Sequence, residues 1–176
     1  MDIVNNRYET IKECRISNSK KLIKVLDLGL QPLANSLKEK IFEDEKKYPL
    51  TLSFCEESSL LQLNETIKKE ILFDRYVWVT STSSTAKNYA QTFYKNVIKD
   101  IQLDKSNDLI IEIASNDGTF LKPFVSNGFK KVIGVDPAKN ISDLANKDNI
   151  KTINSYWSKE LSEQLLKQHG NAKLVI

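Results

Sequence analysis

The sequence is poor in cysteine, in long apolar runs and in net charge, and each shortage excludes a class of protein. Cys14 and Cys55 are the only cysteines among the 176 residues. The N-terminal stretch MDIVNNRYETIKEC carries acids early and lacks the basic and then apolar layout of a signal peptide. No apolar run approaches the ~20 residues that cross a bilayer. We therefore expect a cytoplasmic protein in a reducing compartment, with no membrane partner.

The net charge is too small to indicate a nucleic-acid partner. The formal charge is +3, from 26 Lys and Arg against 23 Asp and Glu, and the lysines are scattered among acids. The composition, 40% hydrophobic and 28% charged, is typical of a globular protein. A chain of this length accommodates one good-sized domain, or a small domain followed by part of a larger one.

Hydrophobic patterning divides the chain into three zones. In the first, PLTLSFC and SLLQL partly alternate between turn residues, which predicts short antiparallel strands. In the second, a Ser/Thr cluster suited to capping precedes a stretch in which apolar residues recur at helical spacing. The face expected to be buried consists of Ala86, Tyr89, Ala90, Phe93, Val97, Ile98 and Ile101.

The third zone alternates strand and helix patterns and predicts a Rossmann-like α/β fold with a parallel sheet. The expected strands are DLIIEIA, KVIGVD, KTINSY and AKLVI, with helices between them and Pro123 confined to a first turn. We expect a small β-rich domain at 1–70, a helical connector at 71–105 and the front half of the sheet domain at 106–176. AKLVI stops as a strand that has just begun, so we expect the front part of a longer polypeptide.

Two carboxylates and a loop of small residues meet where the first two strands of this sheet should end. Glu112 lies in the strand LIIEIA, the loop Ala114-Ser115-Asn116-Asp117-Gly118 follows, and Asp136 closes VIGVD eighteen positions after Gly118. In doubly wound sheets, ligands bind beyond the carboxyl ends of the strands, and an acid about 20 residues after the loop binds ribose hydroxyls. A buried glutamate is costly unless it has a partner, so we expect a ligand at this edge.

The single glycine of this loop argues against the phosphate cradle of dinucleotide-binding proteins, which requires G-x-G-x-x-G. Asp117 would also repel a pyrophosphate. S-adenosylmethionine fits these charges better, because it has an ammonium, a sulfonium and a ribose but no phosphate. Glu112 and Asp117 would attract its positive end, and Asp136 would hold its ribose. We expect Asn116 to adopt the left-handed backbone conformation that glycine supplies elsewhere.

The same features also have structural explanations. An aspartate before a proline, as at Asp136, can simply begin a turn, and Glu112 can cap a helix or pair with a lysine. Tyr156 and Trp157 could stack against an adenine, or they could pack a helix onto the sheet. The residues by themselves leave both interpretations open.

Five segments of the chain together resemble the sugar C-methyltransferase family. They read VLDLGLQPLANSL, YPLTLSFCEESSLLQL, LFDRYVWVTSTSSTAKNYAQTFY, IIEIASNDGTFLKPF and VIGVDPAKNI, and the resemblance extends from about Cys14 to Ile176. Members of this family use S-adenosylmethionine to methylate a ring carbon of nucleotide-linked deoxysugars. The resemblance implies an N-terminal zinc-binding domain, a helical connector and a Rossmann-like methyltransferase domain. The partner would be a nucleotide-linked keto-sugar, whose enolate attacks the methyl group.

The resemblance also implies site residues. The cofactor contacts would be Glu112, Ala114, Ser115, Asn116, Asp117, Gly118, Asp136 and Pro137. Tyr76, in LFDRYVW, matches a family tyrosine that faces the active site, where its phenol would act on the sugar. The alternative is a core aromatic packed beside Trp78.

The chain departs from the family at the zinc ligands. Family members carry two Cys-x-x-Cys pairs, whereas this chain has CRIS, with Cys14 and Ser17, and CEES, with Cys55 and Ser58. A serine hydroxyl is a poor substitute for a thiolate at neutral pH, so we expect no tightly bound zinc. The single histidine, His169, lies in a distant helix.

Two further departures concern the methyltransferase domain. Ala114 stands where the family usually has glycine, and its methyl group would crowd the methionyl part of the ligand. The tyrosine, glutamate and histidine that transfer protons in the family would follow Ile176, so we expect this chain to be inactive alone. A non-catalytic remnant that binds a ligand or a partner is therefore the alternative function. An NAD-binding or nucleotide-sugar enzyme is a third, which the one-glycine loop disfavours.

Overall fold

A computed structural model of the chain describes residues 7–38, 40 and 44–176. The chain divides into two compact units, Met1–Leu72 and Phe73–Ile176. Among the described residues, no helix combines the length and apolar character that crossing a membrane requires.

The N-terminal unit is built from short antiparallel strands, as its alternating patterns predicted. Its strands are β1 (Tyr8–Thr10), β2 (Leu22–Pro32), β3 (Lys47–Cys55), β4 (Leu60–Leu63) and β5 (Glu65–Ile67), and α1 (Lys69–Phe73) follows them. One sheet has the order β2-β3-β4, and β1 pairs with β5 in a second, two-stranded sheet. The β3–β4 hairpin pairs Cys55 with Leu60, so its turn closes immediately after Cys55.

The C-terminal unit confirms the predicted parallel α/β sheet. Its elements are α2 (Ser84–Asp100), β6 (Leu109–Ile113), α3 (Lys122–Ser126), β7 (Lys131–Asp136), α4 (Lys139–Lys147), β8 (Thr152–Asn154), α5 (Lys159–His169) and β9 (Ala172–Val175). The strand order is β8-β7-β6-β9, and every pairing is parallel. The chain proceeds outward from β6 to β8 and then crosses to β9 on the other side. In open parallel sheets, such a reversal of direction creates a crevice beyond the carboxyl ends of the strands, and here it lies at β6.

Local sequence signals explain the helix ends. The Ser83 side chain accepts a hydrogen bond from the Ala86 N–H and caps α2, as the Ser/Thr cluster predicted. Pro123 lies in the first turn of α3, where its missing N–H removes no helical hydrogen bond. The prediction for the buried face of α2 was wrong at Ile98, which is 38% exposed, and at Tyr89, which is 60% exposed. Its ring instead packs edge-on against Phe120, with 5.9 Å between centroids.

Both faces of the parallel sheet are covered by apolar clusters. One cluster contains Val97, Ile110, Leu121, Phe124, Phe129, Val132, Ala145 and Ile150. The other contains Leu109, Ile111, Ile133, Val135, Leu161 and Leu165. Because strand residues alternate between faces, Glu112 lies on the face of Ile110, directly beside Gly134 on β7.

Gly134 is required for close packing beneath the site loop. A Cβ atom at this position would lie 2.5 Å from Ser115 Oγ and 2.8 Å from Thr152 Oγ1. Both atoms belong to buried side chains, so neither has space to withdraw.

We expect Gly134→Ala to lower the free energy of unfolding by about 1–3 kcal/mol, because the added methyl group overpacks the sheet. Urea denaturation of the purified chain measures this loss. Adding Ser115→Gly removes the nearest clashing atom, so the double variant should lose less than the sum of the two single variants. Additive losses would contradict this packing explanation.

Candidate functional site

The candidate site is built on a strained loop at the carboxyl end of β6. Three of its five residues have left-handed backbone angles: Ala114 at φ 57°, Asn116 at 49° and Gly118 at 75°. The conformation predicted for Asn116 is confirmed. Gly118 has a second constraint, because a Cβ atom there would lie 2.8 Å from two carbon atoms of Ile150. The loop therefore has little freedom to rearrange.

A cavity of about 190 Å³ opens beside this loop, within the C-terminal unit. It is lined by Phe73, Tyr76, Ala114, Asn116, Asp136, Pro137 and Ala138, so it brings together five of the predicted site residues. The other four, Glu112, Ser115, Asp117 and Gly118, are buried in the adjoining strand and loop. Pockets for complete small ligands measure about 300–1,000 Å³, so this cavity has room for one part of a ligand.

Asp136 joins the ends of the first two strands of the sheet. Its Oδ2 accepts the Asn116 N–H at 2.8 Å, and its Oδ1 accepts the Ala138 N–H at 2.9 Å. The second bond closes the turn that an aspartate before a proline was expected to begin. Each carboxylate oxygen has two lone pairs, so Asp136 retains acceptor capacity toward the cavity that it lines.

The side chains of Asn116 and Asp117 hold the segment before α2. Asn116 Oδ1 accepts the Thr80 N–H at 2.9 Å, and its Nδ2 donates to the Trp78 carbonyl at 3.1 Å. Asp117 Oδ2 accepts the Ser81 N–H at 3.1 Å. Both residues thus have structural roles at the loop, and their contact with a cofactor stays a prediction.

Glu112 is the buried acidic residue for which the sequence indicated no certain partner. Its side chain is 7% exposed, and its Oε2 has no hydrogen-bond partner. Burial, and then the negative charges of Asp117 and Asp136, raise the pKa of Glu112 from 4.5 to about 8. The carboxyl group is therefore largely protonated at neutral pH. No ion pair of the described residues includes it, so the lysine partner considered as an alternative is not found.

Tyr76 is held at the cavity wall by Asn140, which the sequence analysis missed. Asn140 Oδ1 accepts the Tyr76 N–H at 3.1 Å, and its Nδ2 donates to the Tyr76 carbonyl at 2.7 Å. The ring of Tyr76 lies 6.4 Å from that of Phe73. Asn140 is an exposed residue in the first turn of α4 and carries no sequence signal, because its partner is 64 positions away.

Tyr156 and Asn154 also form hydrogen bonds to the loops around this cavity. The Tyr156 hydroxyl donates to Asp74 Oδ1 at 2.7 Å. Asn154 Nδ2 donates to the Pro137 carbonyl at 2.8 Å. These bonds support the cavity wall, and adenine stacking by Tyr156 or Trp157 stays a prediction.

The four positions that correspond to zinc ligands converge in the N-terminal unit, but their atoms do not fit zinc. Cys14 Sγ lies 3.0 Å from Ser58 Oγ, and Cys55 Sγ lies 3.6 Å from Ser17 Oγ. Hydrogen bonds from Ser17, and then from Ser58 and Ile16, lower the pKa of the Cys14 thiol to about 6. Structural zinc takes four thiolate, imidazole or carboxylate ligands, and this set supplies two. Within the described residues, no group of three or more His, Cys, Asp or Glu side chains could hold a metal ion.

We expect Ala114→Gly to raise the free energy of unfolding by about 0.5–1 kcal/mol, because glycine adopts a positive φ without a Cβ penalty. Thermal or urea denaturation measures the change. Ala86→Gly is the matched control in α2, where glycine should lower stability by about 1 kcal/mol. A loss of stability in both variants would show that the Ala114 backbone is not strained.

The raised pKa of Glu112 also predicts how stability depends on pH. Between pH 4.5 and 8 the unfolded chain has released this proton and the folded chain has kept it, so stability falls as pH rises. The total loss from this group is on the order of 5 kcal/mol for a shift from 4.5 to about 8. Glu112→Gln should remove that slope in urea titrations between pH 5 and 6, below the range in which the lowered pKa of Cys14 makes stability rise with pH, whereas exposed Glu163→Gln should retain it. An unchanged slope in Glu112→Gln would contradict the buried, protonated carboxyl group.

Comparison with known proteins shows which proteins this chain is similar to. Residues 14–73 match a family described as "Putative zinc binding domain". The C-methyltransferase NovU of Streptomyces niveus is 31% identical over 167 residues, which cover 94% of this chain and 39% of that protein. A SAM-dependent methyltransferase structure from Anabaena variabilis aligns over 49% of this chain and 37% of its own, at 21% identity and a TM-score of 0.38.

The two sequence matches overlap the segments that carried the resemblance. The chain spans about two fifths of the length of the curated relative, and the match covers both units. The sequence matches confirm the resemblance that the motifs indicated, and this chain is similar to a C-methyltransferase along nearly its whole length.

Proposed function

We propose that this chain provides the S-adenosylmethionine-binding part of a C-methyltransferase that acts on a nucleotide-linked keto-sugar. The observation that carries the proposal is a cluster of three carboxyl groups, Glu112, Asp117 and Asp136, at the ends of β6 and β7. No ion pair of the described residues includes any of them. Such a cluster favours a cationic ligand that lacks phosphate.

The cavity suits the nucleoside part of the ligand. Phe73, Tyr76, Pro137 and Ala138 offer apolar walls, and Asp136 offers a buried carboxylate among them. A ribose that donates hydroxyl hydrogen bonds to Asp136 would form charge-assisted bonds, each worth about 1.5–3 kcal/mol. The volume of about 190 Å³ supports entry of one part of the cofactor, with the rest beyond the loop.

The buried acids suit the cationic part. S-adenosylmethionine, when bound, supplies an electrophilic methyl group on a positively charged sulfur. A nearby cation favours the ionised form of Glu112 and lowers its pKa, so binding should release a proton from this residue. Glu112 thereby gains the partner that the isolated chain does not provide for its Oε2.

Tyr76 is the candidate residue for the methyl acceptor. Its place on the cavity wall puts it beside the proposed cofactor position, and Asn140 holds both polar groups of its backbone. The keto-sugar acceptor is proposed from the motifs and from the curated C-methyltransferase relative.

A non-catalytic remnant is the second candidate function. The observation that favours it is the replacement of two zinc-type ligands by Ser17 and Ser58. Such a chain would retain the fold of the C-terminal unit without binding the cofactor.

Calorimetry on the purified chain separates these functions. We expect S-adenosylmethionine and adenosine to bind and NAD not to bind. Asp136→Asn should weaken both ligands about ten- to a hundredfold, from the loss of charge-assisted bonds. Circular dichroism of the variant verifies that its helices and strands are retained. Binding of neither ligand to the folded chain would support the remnant, and binding of NAD alone would support a nucleotide-dependent enzyme instead.

Cofactor affinity should also depend on pH through Glu112. Raising the pH toward 8 ionises this carboxyl group, so S-adenosylmethionine affinity should rise by up to about tenfold per pH unit between pH 6 and 8. Adenosine, which lacks the cationic end, should show little of this dependence. Glu112→Gln should flatten the profile for S-adenosylmethionine and leave adenosine unaffected. A profile that persists in Glu112→Gln would assign the dependence to another group.

A further inference from the structure

The two Cys-x-x-Ser turns have the backbone of a paired metal-binding site. Each turn is followed by a residue in the left-handed conformation, Asn18 at φ 59° and Ser59 at φ 56°. In the first turn, the N–H groups of Ile16 and Ser17 both donate to Cys14 Sγ at 3.5 Å. These donors would stabilise a thiolate, whether or not a metal ion is bound to it. The two turns thus share a left-handed residue after the serine, and the first turn directs two N–H groups at its cysteine sulfur.

Hydrogen bonds connect these turns in the place of a shared metal ion. Each cysteine sulfur lies against the hydroxyl of the opposite turn, Cys14 against Ser58 at 3.0 Å and Cys55 against Ser17 at 3.6 Å. Both cysteines are completely buried. The first contact joins residues that are 44 positions apart in the sequence, and the second joins residues that are 38 positions apart.

Two further side chains fix the first turn against β4 and β5. Gln62, which is 5% exposed, donates to the Glu13 carbonyl at 3.1 Å and accepts the Arg15 N–H at 3.0 Å. The Arg15 guanidinium donates to the Leu63 carbonyl at 3.2 Å and to Thr66 Oγ1 at 2.7 Å. Four hydrogen bonds therefore hold the turn in position without any metal ligand.

We propose that the N-terminal unit has this cysteine–serine cluster in the place of a metal cross-link, folds without zinc, and holds the four positions in a geometry suited to a metal ion. The inference is independent of the proposed cofactor, since it concerns only residues of the N-terminal unit. Serine and cysteine differ by one atom, so exchanging both serines for cysteine should place four sulfur atoms around one centre.

The first test uses the unmodified chain. We expect chain purified from zinc-supplemented medium to contain well under one zinc ion per molecule by elemental analysis. Its melting temperature should not change when a strong chelator is added. Stoichiometric zinc, or a chelator-induced loss of the folded N-terminal unit, would overturn the proposal.

The second test rebuilds the site. Under reducing conditions, Ser17→Cys/Ser58→Cys should bind one cobalt ion with the absorption of tetrahedral thiolate coordination, and zinc should displace the cobalt. Its melting temperature should then fall when the chelator is added. The matched control, Ser126→Cys/Ser162→Cys, places two cysteines outside the N-terminal unit and should bind no cobalt in this way. A folded quadruple-cysteine chain without the cobalt spectrum would show that the four positions have lost their geometry.

The third test measures the hydrogen bonds themselves. Ser17→Ala and Ser58→Ala each remove one hydroxyl from a cysteine sulfur, and each should lower the melting temperature by about 2–4 °C. Exposed Ser126→Ala is the control and should leave it unchanged. Unchanged melting temperatures in both cluster variants would show that the hydroxyls do not stabilise the unit.

Discussion

The candidate site depends on the carboxylate of Asp136. This group is 6% exposed and accepts one backbone N–H from the loop after β6 and one from the turn after β7. Both bonds are charge-assisted and shielded from water, so each is stronger than an ordinary backbone hydrogen bond. The positions of Asn116 and Pro137 on the cavity wall follow from this bridge. A ligand that binds Asp136 would therefore contact a group that already organises both loops.

Two residues at the same edge of the sheet each lower the stability of the fold. Glu112 is buried without a partner for its Oε2, and Ala114 has a backbone conformation that a side chain disfavours. Energetic penalties of this kind persist where the surrounding structure enforces them, and they are common at functional sites. A cationic ligand would relieve the first penalty, whereas the second belongs to the loop whether or not a ligand is bound. The proposed ligand site thus coincides with two features that lower the stability of the C-terminal unit.

The N-terminal unit shows a different relation between sequence and stability. Residues 14–73 match a family described as a putative zinc-binding domain, and the two turns of this unit bring together two cysteine sulfurs and two serine hydroxyls. The polar contacts of Gln62 and Arg15 explain how a small unit with few buried apolar side chains can hold these turns together. Loss of the metal ligands therefore does not imply loss of the local fold.

The sequence by itself predicted the features that depend on neighbouring residues. Apolar periodicity predicted the strands and helices of the parallel sheet, the Ser/Thr cluster predicted the cap at Ser83, and the small size of its polar side chain predicted the left-handed Asn116. The combination of motifs predicted the similarity to C-methyltransferases, because each motif contains several residues that satisfy such local constraints together. The roles of the acidic residues were predicted only in part. Asp136 was expected at the cavity, but its hydrogen bonds to both loops were not.

Only the tertiary structure decided which distant residues meet. Asn140 reaches Tyr76 across 64 positions, and Asn116 reaches Thr80 across 36. The burial that raises the pKa of Glu112 likewise comes from elements packed around β6. Local patterns carry no information about these contacts, because they arise from how complete elements pack after the periodicity of each has been satisfied.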